Sequence, residues 1–248
     1  MTHTMHKSQT GHELAYVYTD GNKDKALLVF CGGFKSDMTG TKATFLEESA
    51  KASDIPYLRF DYSGHGASEG NFPDGTIGTW AKDAESIIEA MRGQRQVVLV
   101  GSSMGGWISL LLARQKDYLK ALVLLAPAPD FTRDVKAELT PKQLKEMDEK
   151  GRVEIPNDYS DEPYIFTKAL LEDGEAQCLL DEEIPYDGPV DILQGMQDAD
   201  VDWSKAIFIT EALKSEKVRL HLLKDAGHSL SRPEDLALLW SVVEERML

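Results

Sequence analysis

Two serines, Ser102 and Ser103, sit in "VGSSMGGW" between the apolar runs "QVVLV" and "WISLLLA". A serine hydroxyl becomes a useful nucleophile when a base takes its proton and positioned donors receive the oxyanion formed by its attack. Glycines frame only one of the two: Gly101 and Gly105 lie two residues either side of Ser103. In a G-x-S-x-G stretch the central serine stands on a strained strand-to-helix turn, where flanking side chains would collide. Ser102 lacks that frame and reads as a packing neighbour.

Two other chemistries use glycines at such a turn. A phosphate loop requires lysine directly after its last glycine, and here Trp107 follows Gly106. The stretch "GFKSDMTGTK" has the wrong glycine interval for the same purpose. A dinucleotide site is the stronger rival, because Gly101, Gly105 and Gly106 imitate its glycine pattern and Tyr164-x-x-x-Lys168 imitates a dehydrogenase pair. However, Trp107 stands where close helix packing would want glycine, and several strands precede a turn that should open such a fold.

In a strand–elbow–helix of this kind the remaining partners follow the serine in the order acid, then histidine, each in a loop after a later strand. "KVRLHLLKDAGHSLSRP" places His228 five residues past a strand. His221 lies within that strand and His65 precedes the serine, so both are poor bases. "DILQGMQDADVDW" offers Asp198, with Asp200 as the alternative and Asp202 further on. The acid need only hold the imidazole tautomer and stabilise its cation. For the oxyanion, one donor is expected from the backbone N–H of Met104, directly after the nucleophile. The second is expected from Phe34 in "CGGFKSD", where Gly32 and Gly33 allow close approach.

These residues require a scaffold, and the chain supplies one. Strands are expected at 13–19, 26–31, 55–60, 96–101, 120–126, 189–195 and 217–223. Helices are expected at about 41–52, 78–92, 104–116, 203–215 and 233–247. The uninterrupted apolar runs Val97–Val100 and Leu122–Leu125 suit strands covered on both faces. The alternation implies an α/β fold with a mainly parallel, twisted sheet and right-handed crossovers. Residues 128–188 break the rhythm. "LTPKQLKEMDEKG" reads as a helix with Thr140 as N-cap, Pro141 at its first position and Gly151 past its end. "PYIFTKALLEDG" reads as a second helical patch, and no strand is evident. The expected organisation is therefore a core of 1–127 and 189–248 carrying a small helical cap, 128–188. Phe131, Tyr159, Tyr164, Phe166 and Tyr186 concentrate aromatic surface in that cap. Tyr164 and Phe166 are its candidate substrate-binding residues.

The bulk numbers narrow the partners. The 248 residues carry 42 acidic and 27 basic side chains, a net charge of −15. Such a field repels nucleic acid and anionic membrane surfaces. No stretch approaches the roughly 20 apolar residues of a membrane span. Cys31 and Cys178 are far apart, which disfavours a disulfide framework or a zinc site and suits a reducing compartment. His3 and His6 lack metal-ligand context. The N-terminal stretch has neither signal-peptide nor transit-peptide character, so a cytoplasmic location is expected.

The motifs together resemble the α/β-hydrolase superfamily. More narrowly, "MTGTKATFLEESA", "RFDYSGHGASEGN", "LVGSSMGGW", "IPNDYSDEPYIFTKALLEDGEAQCLL" and "LQGMQDADVDW" resemble the α/β-hydrolase domain-containing protein 10 type. That type is known as acyl-protein thioesterase and mycophenolic acid acyl-glucuronide esterase. The resemblance implies the α/β-hydrolase fold, Ser103, Asp198 and His228 as nucleophile, acid and base, and a mitochondrial matrix location for processed eukaryotic members. Two positions depart from the type: Gly32 replaces a proline, and Asp202 replaces the proline usual after D-x-x-V. The expected activity is hydrolysis of a carboxylic ester or thioester through an acyl-enzyme. The substrate would be a small molecule or an S-acylated protein, with no metal or organic cofactor required. An inactive binding protein on the same fold and a cofactor-free haloperoxidase are the alternatives.

Overall fold

The computed structural model describes residues 2–157 and 162–248. The strands are β1 (Thr4–Lys7), β2 (Glu13–Thr19), β3 (Leu27–Cys31), β4 (Tyr57–Phe60), β5 (Val97–Ser102), β6 (Leu119–Leu125), β7 (Arg152–Ile155), β8 (Tyr164–Thr167), β9 (Val190–Gly195) and β10 (Val218–Leu223). The helices are α1 (Thr41–Ala52), α2 (Ile77–Arg92), α3 (Met104–Ala113), α4 (Phe131–Glu138), α5 (Pro141–Lys150), α6 (Lys168–Ala176), α7 (Ser204–Ala212) and α8 (Pro233–Met247).

Among the described residues, eight strands form one sheet in the order β1-β2-β4-β3-β5-β6-β9-β10. The pairs from β4 through β10 are parallel, while β1–β2 and β2–β4 are antiparallel. The central strands β3 and β5 are buried along their whole length, as their unbroken aliphatic runs require. Apolar side chains line both faces. Leu27, Val29, Leu99, Trp80 and Trp107 pack with α2 and α3 on one side, and Leu28, Val98, Leu46 and Val243 pack with α1 and α8 on the other. Strand order reverses between β3 and β5. This opens a crevice beyond their carboxyl ends, the usual ligand position in an open α/β sheet.

The insertion differs from the sequence expectation. It contains α4, α5 and α6, but also an antiparallel hairpin pairing Arg152 with Thr167 and Ile155 with Tyr164. "YIFT" is therefore a strand, and the expected helical patch begins only at Lys168. Each strand has four residues, too short for alternation to stand out, and charged Arg152 and Glu154 mask the inward-facing Val153. The β-branched and aromatic content of "YIFT" was the available signal. α5 begins with a capping box between Thr140 and Gln143 and ends at Gly151 with φ 70°. Strand β1, absent from the sequence expectation, is a polar edge element whose His6 Nε2 lies 3.1 Å from Ser86 Oγ.

Candidate functional site

The crevice is organised around Ser103. Its backbone holds φ 54° and ψ −117°, between the end of β5 and the start of α3. Such a conformation for a residue with a side chain is strained by roughly 1–3 kcal/mol. Every residue of α3 is buried, and Ser103 N–H donates to Leu125 O at 2.9 Å, so both ends of the turn are clamped. A Cβ on Gly105 would lie 2.1 Å from Cys31 O, and one on Gly101 would lie 2.4 Å from Ser109 Oγ. The flanking glycines thus let α3 approach β3 and β5 closely enough for the turn to form.

His228 bridges two groups. Its Nε2 lies 3.1 Å from Ser103 Oγ and its Nδ1 lies 2.9 Å from Asp198 Oδ2. The carboxylate is saturated: Gln194 Nε2 also donates to Oδ2 at 3.0 Å, and the N–H groups of Asp200 and Val201 each donate to Oδ1 at 2.9 Å. Burial pushes this carboxyl upward, but the His228 hydrogen bond and charge and the two backbone donors outweigh it. They hold Asp198 below its ordinary value. Asp200 lends its N–H to Asp198, while its own side chain is exposed. A lysine ties down the histidine loop, with Lys42 Nζ donating to Ser229 O. Lys42 escaped sequence reasoning because its partner lies 187 residues away. Gln194 escaped it because a glutamine four residues before the acid belongs to no recognised motif.

The loop after β3 faces the elbow. A Cβ on Gly33 would stand 3.4 Å from Ser103 Cβ, so this backbone lies directly against the serine. Phe34 follows, and Met104 opens α3 on the other side. The Phe34 ring lies against Phe72 at 4.8 Å, Tyr164 at 5.5 Å and Phe131 at 5.6 Å between centroids. It stacks on Phe166 at 5.3 Å with an interplanar angle of 6°. Each such pair contributes about 0.5–1.5 kcal/mol beyond its buried area. Phe166 is 5% exposed, whereas Tyr164 and Phe131 are half-buried. Tyr186 does not join them. Its hydroxyl donates to Leu119 O at the start of β6, the far end of the sheet from Ser103. Tyr159 lies outside the described residues.

The remaining candidates fall elsewhere. His221 Nε2 contacts Asp191 Oδ1 at 3.3 Å, and Arg246 Nε donates to the same buried carboxylate at 2.5 Å. Tyr164 and Lys168 belong to different elements, and Lys168 pairs with Asp148. A cavity of about 740 Å³ at the amino-terminal edge of the sheet is lined by Lys25, Arg92, Arg95 and Lys120. Three of these cations serve helix ends: Lys25 donates to Ser53 O, Arg95 to Met91 O and Lys120 to Met247 O, while Arg92 lies over the Tyr118 ring. No helix among the described residues is long and apolar enough to cross a membrane.

Comparison with known proteins identifies the family. The model of the alpha/beta hydrolase family matches residues 28–237. The chain belongs to that family. It is 36% identical over 221 residues to the human protein named palmitoyl-protein thioesterase ABHD10, mitochondrial, covering 88% of this chain and 72% of the human protein. The mouse protein of the same name is 34% identical, with coverage of 88% and 74%. Within the family, the chain therefore belongs with the ABHD10 proteins. A solved structure of the mouse alpha/beta hydrolase domain-containing protein 10 superposes with a TM-score of 0.89 at 31% identity, covering 99% of this chain and 98% of that one. A crystal structure of an Agrobacterium vitis S4 protein reaches 0.94 at 37% identity and covers both chains fully.

Proposed function

We propose that the chain hydrolyses carboxylic thioesters or esters through an acyl-enzyme, with Ser103 as nucleophile, His228 as general base and acid, and Asp198 as its orienting carboxylate. The observation that carries this reading is the bridging imidazole, 3.1 Å from Ser103 Oγ and 2.9 Å from Asp198 Oδ2. His228 Nε2 accepts the serine proton as Oγ attacks the acyl carbonyl, and the ionised Asp198 favours the imidazolium formed. The tetrahedral oxyanion receives the N–H groups of Met104 and Phe34. His228 then returns its proton to the leaving sulfur or oxygen, the acyl group stays on Ser103, and a water activated by the same imidazole releases the acid.

The acyl side of the substrate meets the Phe34 aromatic cluster. The half-buried Tyr164 presents a contact surface there, and Phe166 backs it. The palmitoyl-protein thioesterase name of relatives at 34–36% identity supports a long acyl chain and an S-acylated protein or small thioester as substrate. Two free cysteines, with Cys31 buried, suit a reducing compartment, either cytoplasmic or mitochondrial as in the names of those relatives. A panel of p-nitrophenyl esters, acyl-CoAs, an S-palmitoyl peptide and an acyl glucuronide, run on the wild type and Ser103→Ala, tests the reading. Hydrolysis of at least one class that disappears in Ser103→Ala is expected. Hydrolysis that survives the substitution would refute it.

A further inference from the structure

His65 is a buried histidine that the reaction above does not use. It is 3% exposed, and its ring lies edge-on to Trp80 and Phe72, both at 5.0 Å between centroids. Its Nδ1 lies 3.2 Å from Ser63 O, a carbonyl that can only accept, so Nδ1 carries the ring proton. Its Nε2 therefore presents a lone pair, and Lys35 N–H donates to it at 3.3 Å. Burial pushes His65 down to about 4, which keeps the acceptor available across the neutral range.

The N–H that His65 receives lies in a tight turn. Ser36 N–H donates to Gly33 O at 3.2 Å, closing a four-residue turn with Phe34 and Lys35 at its centre. Lys35 has φ 55°, and Phe34 is not among the residues of positive φ. A positive φ at the third position alone marks a type II turn, which normally places glycine or asparagine there. With lysine in that place, the alternative type I turn is favoured locally, and the two differ by a flip of the Phe34–Lys35 peptide. The N–H of that same peptide points at His65. Ser36 Oγ also donates to Gly33 O at 2.8 Å, on the peptide whose N–H belongs to Phe34. One side of the loop thus aims the Phe34 donor, while His65 keeps the next peptide from flipping.

We propose that His65 is a positioning residue that holds the Phe34–Lys35 peptide in its type II orientation and so keeps the Phe34 N–H aimed at the oxyanion. This rests on the assignment of Ser103 and Phe34 given above. His65 touches neither substrate nor Ser103. Its effect passes through the loop, and it should appear in turnover more than in substrate binding.

The test is kcat and KM per active serine, counted by fluorophosphonate titration, for the wild type, His65→Phe, Lys35→Gly and the double variant. Phenylalanine retains the ring packing and removes the acceptor. Glycine adopts positive φ without steric penalty, so it should make the type II turn independent of His65. His65→Phe is expected to lower kcat about ten- to hundredfold, as misaligning one oxyanion donor does, with KM within about threefold. Adding Lys35→Gly should recover most of that loss, a coupling that a purely structural role for the ring would not produce. A kcat for His65→Phe within about threefold of wild type, or a loss that Lys35→Gly does not recover, overturns the proposal. Should His65→Phe not fold, His65→Gln and His65→Met offer side chains of equal length with a strong and with only a weak acceptor, and equal kcat values would also overturn it. A wild type whose Ser103 cannot be titrated would defeat the parent reading and this inference together. A titratable serine with unchanged kcat defeats only the inference.

Discussion

Two residues with side chains hold left-handed backbone on facing walls of the same crevice, Ser103 at φ 54° and Lys35 at φ 55°. They are held by different means. Ser103 is clamped by its own neighbours in sequence, a buried strand before it and a buried helix after it. Lys35 sits in a loop secured from a distance, by His65 at its own N–H and by Asp61 Oδ1, which accepts from Met38 N–H at 2.6 Å. Strain clamped by adjoining elements gives a rigid feature written in a contiguous stretch of residues. Strain clamped by polar contacts across the fold leaves a second conformation nearby, and no short motif records it.

The rigid half predicts the largest effect. Ser103→Ala should lower kcat by roughly a millionfold, while Ser102→Ala should retain at least a few per cent of activity, measured by steady-state kinetics on one ester. The reverse pattern would break the assignment of the elbow. Asp198→Asn should follow with a loss of roughly ten-thousandfold, because an amide that replaces the carboxylate no longer favours the required tautomer and cation. A loss larger for Asp200→Asn than for Asp198→Asn would move the acid to the neighbouring position.

The cap sharpens the comparison by separating packing from contact. Phe166→Ala, which empties a buried aromatic site, should destabilise the fold by about 3–5 kcal/mol in denaturant titration. Tyr164→Ala should cost less stability and instead flatten the gain of kcat/KM with acyl length, which in an apolar pocket is worth about 0.8 kcal/mol per methylene. A length profile unmoved by both variants would make these rings only a seal between cap and sheet. The smallest effect concerns pH. Asp198 is held below its ordinary value in the fold, so the stability it contributes is complete above about 4 and is lost as pH falls through its depressed value. The acid-side fall in Tm should therefore be shallower in Asp198→Asn than in the wild type.

How much was legible in the sequence follows the same division. Most strands and helices could be read because long aliphatic runs and capped amphipathic stretches carry their own periodicity, as in Val97–Val100 and the α5 segment after Thr140. The meeting of Ser103, Asp198 and His228 could be anticipated because each occupies a loop of recognisable spacing. The β7–β8 hairpin could not, since four-residue strands with Arg152 and Glu154 facing outward give no clear alternation. Composition groups Tyr186 with the cap aromatics, although the chain carries it to the opposite end of the sheet. Lys42 and His65 act through contacts 187 and 30 residues away in the chain, and only the fold brings those partners together. Gln194 is only four residues from Asp198 but belongs to no recognised motif.

The most direct test of the central claim is the stoichiometry and site of fluorophosphonate labelling, read by intact mass and peptide mapping on the wild type, Ser103→Ala and His228→Ala. The structure predicts one adduct per wild-type chain on Ser103, none on Ser103→Ala, and labelling slowed by orders of magnitude in His228→Ala, because Oγ then lacks the base 3.1 Å away. An adduct on Ser102 or another residue, or a His228→Ala variant labelled as fast as the wild type, would contradict the account.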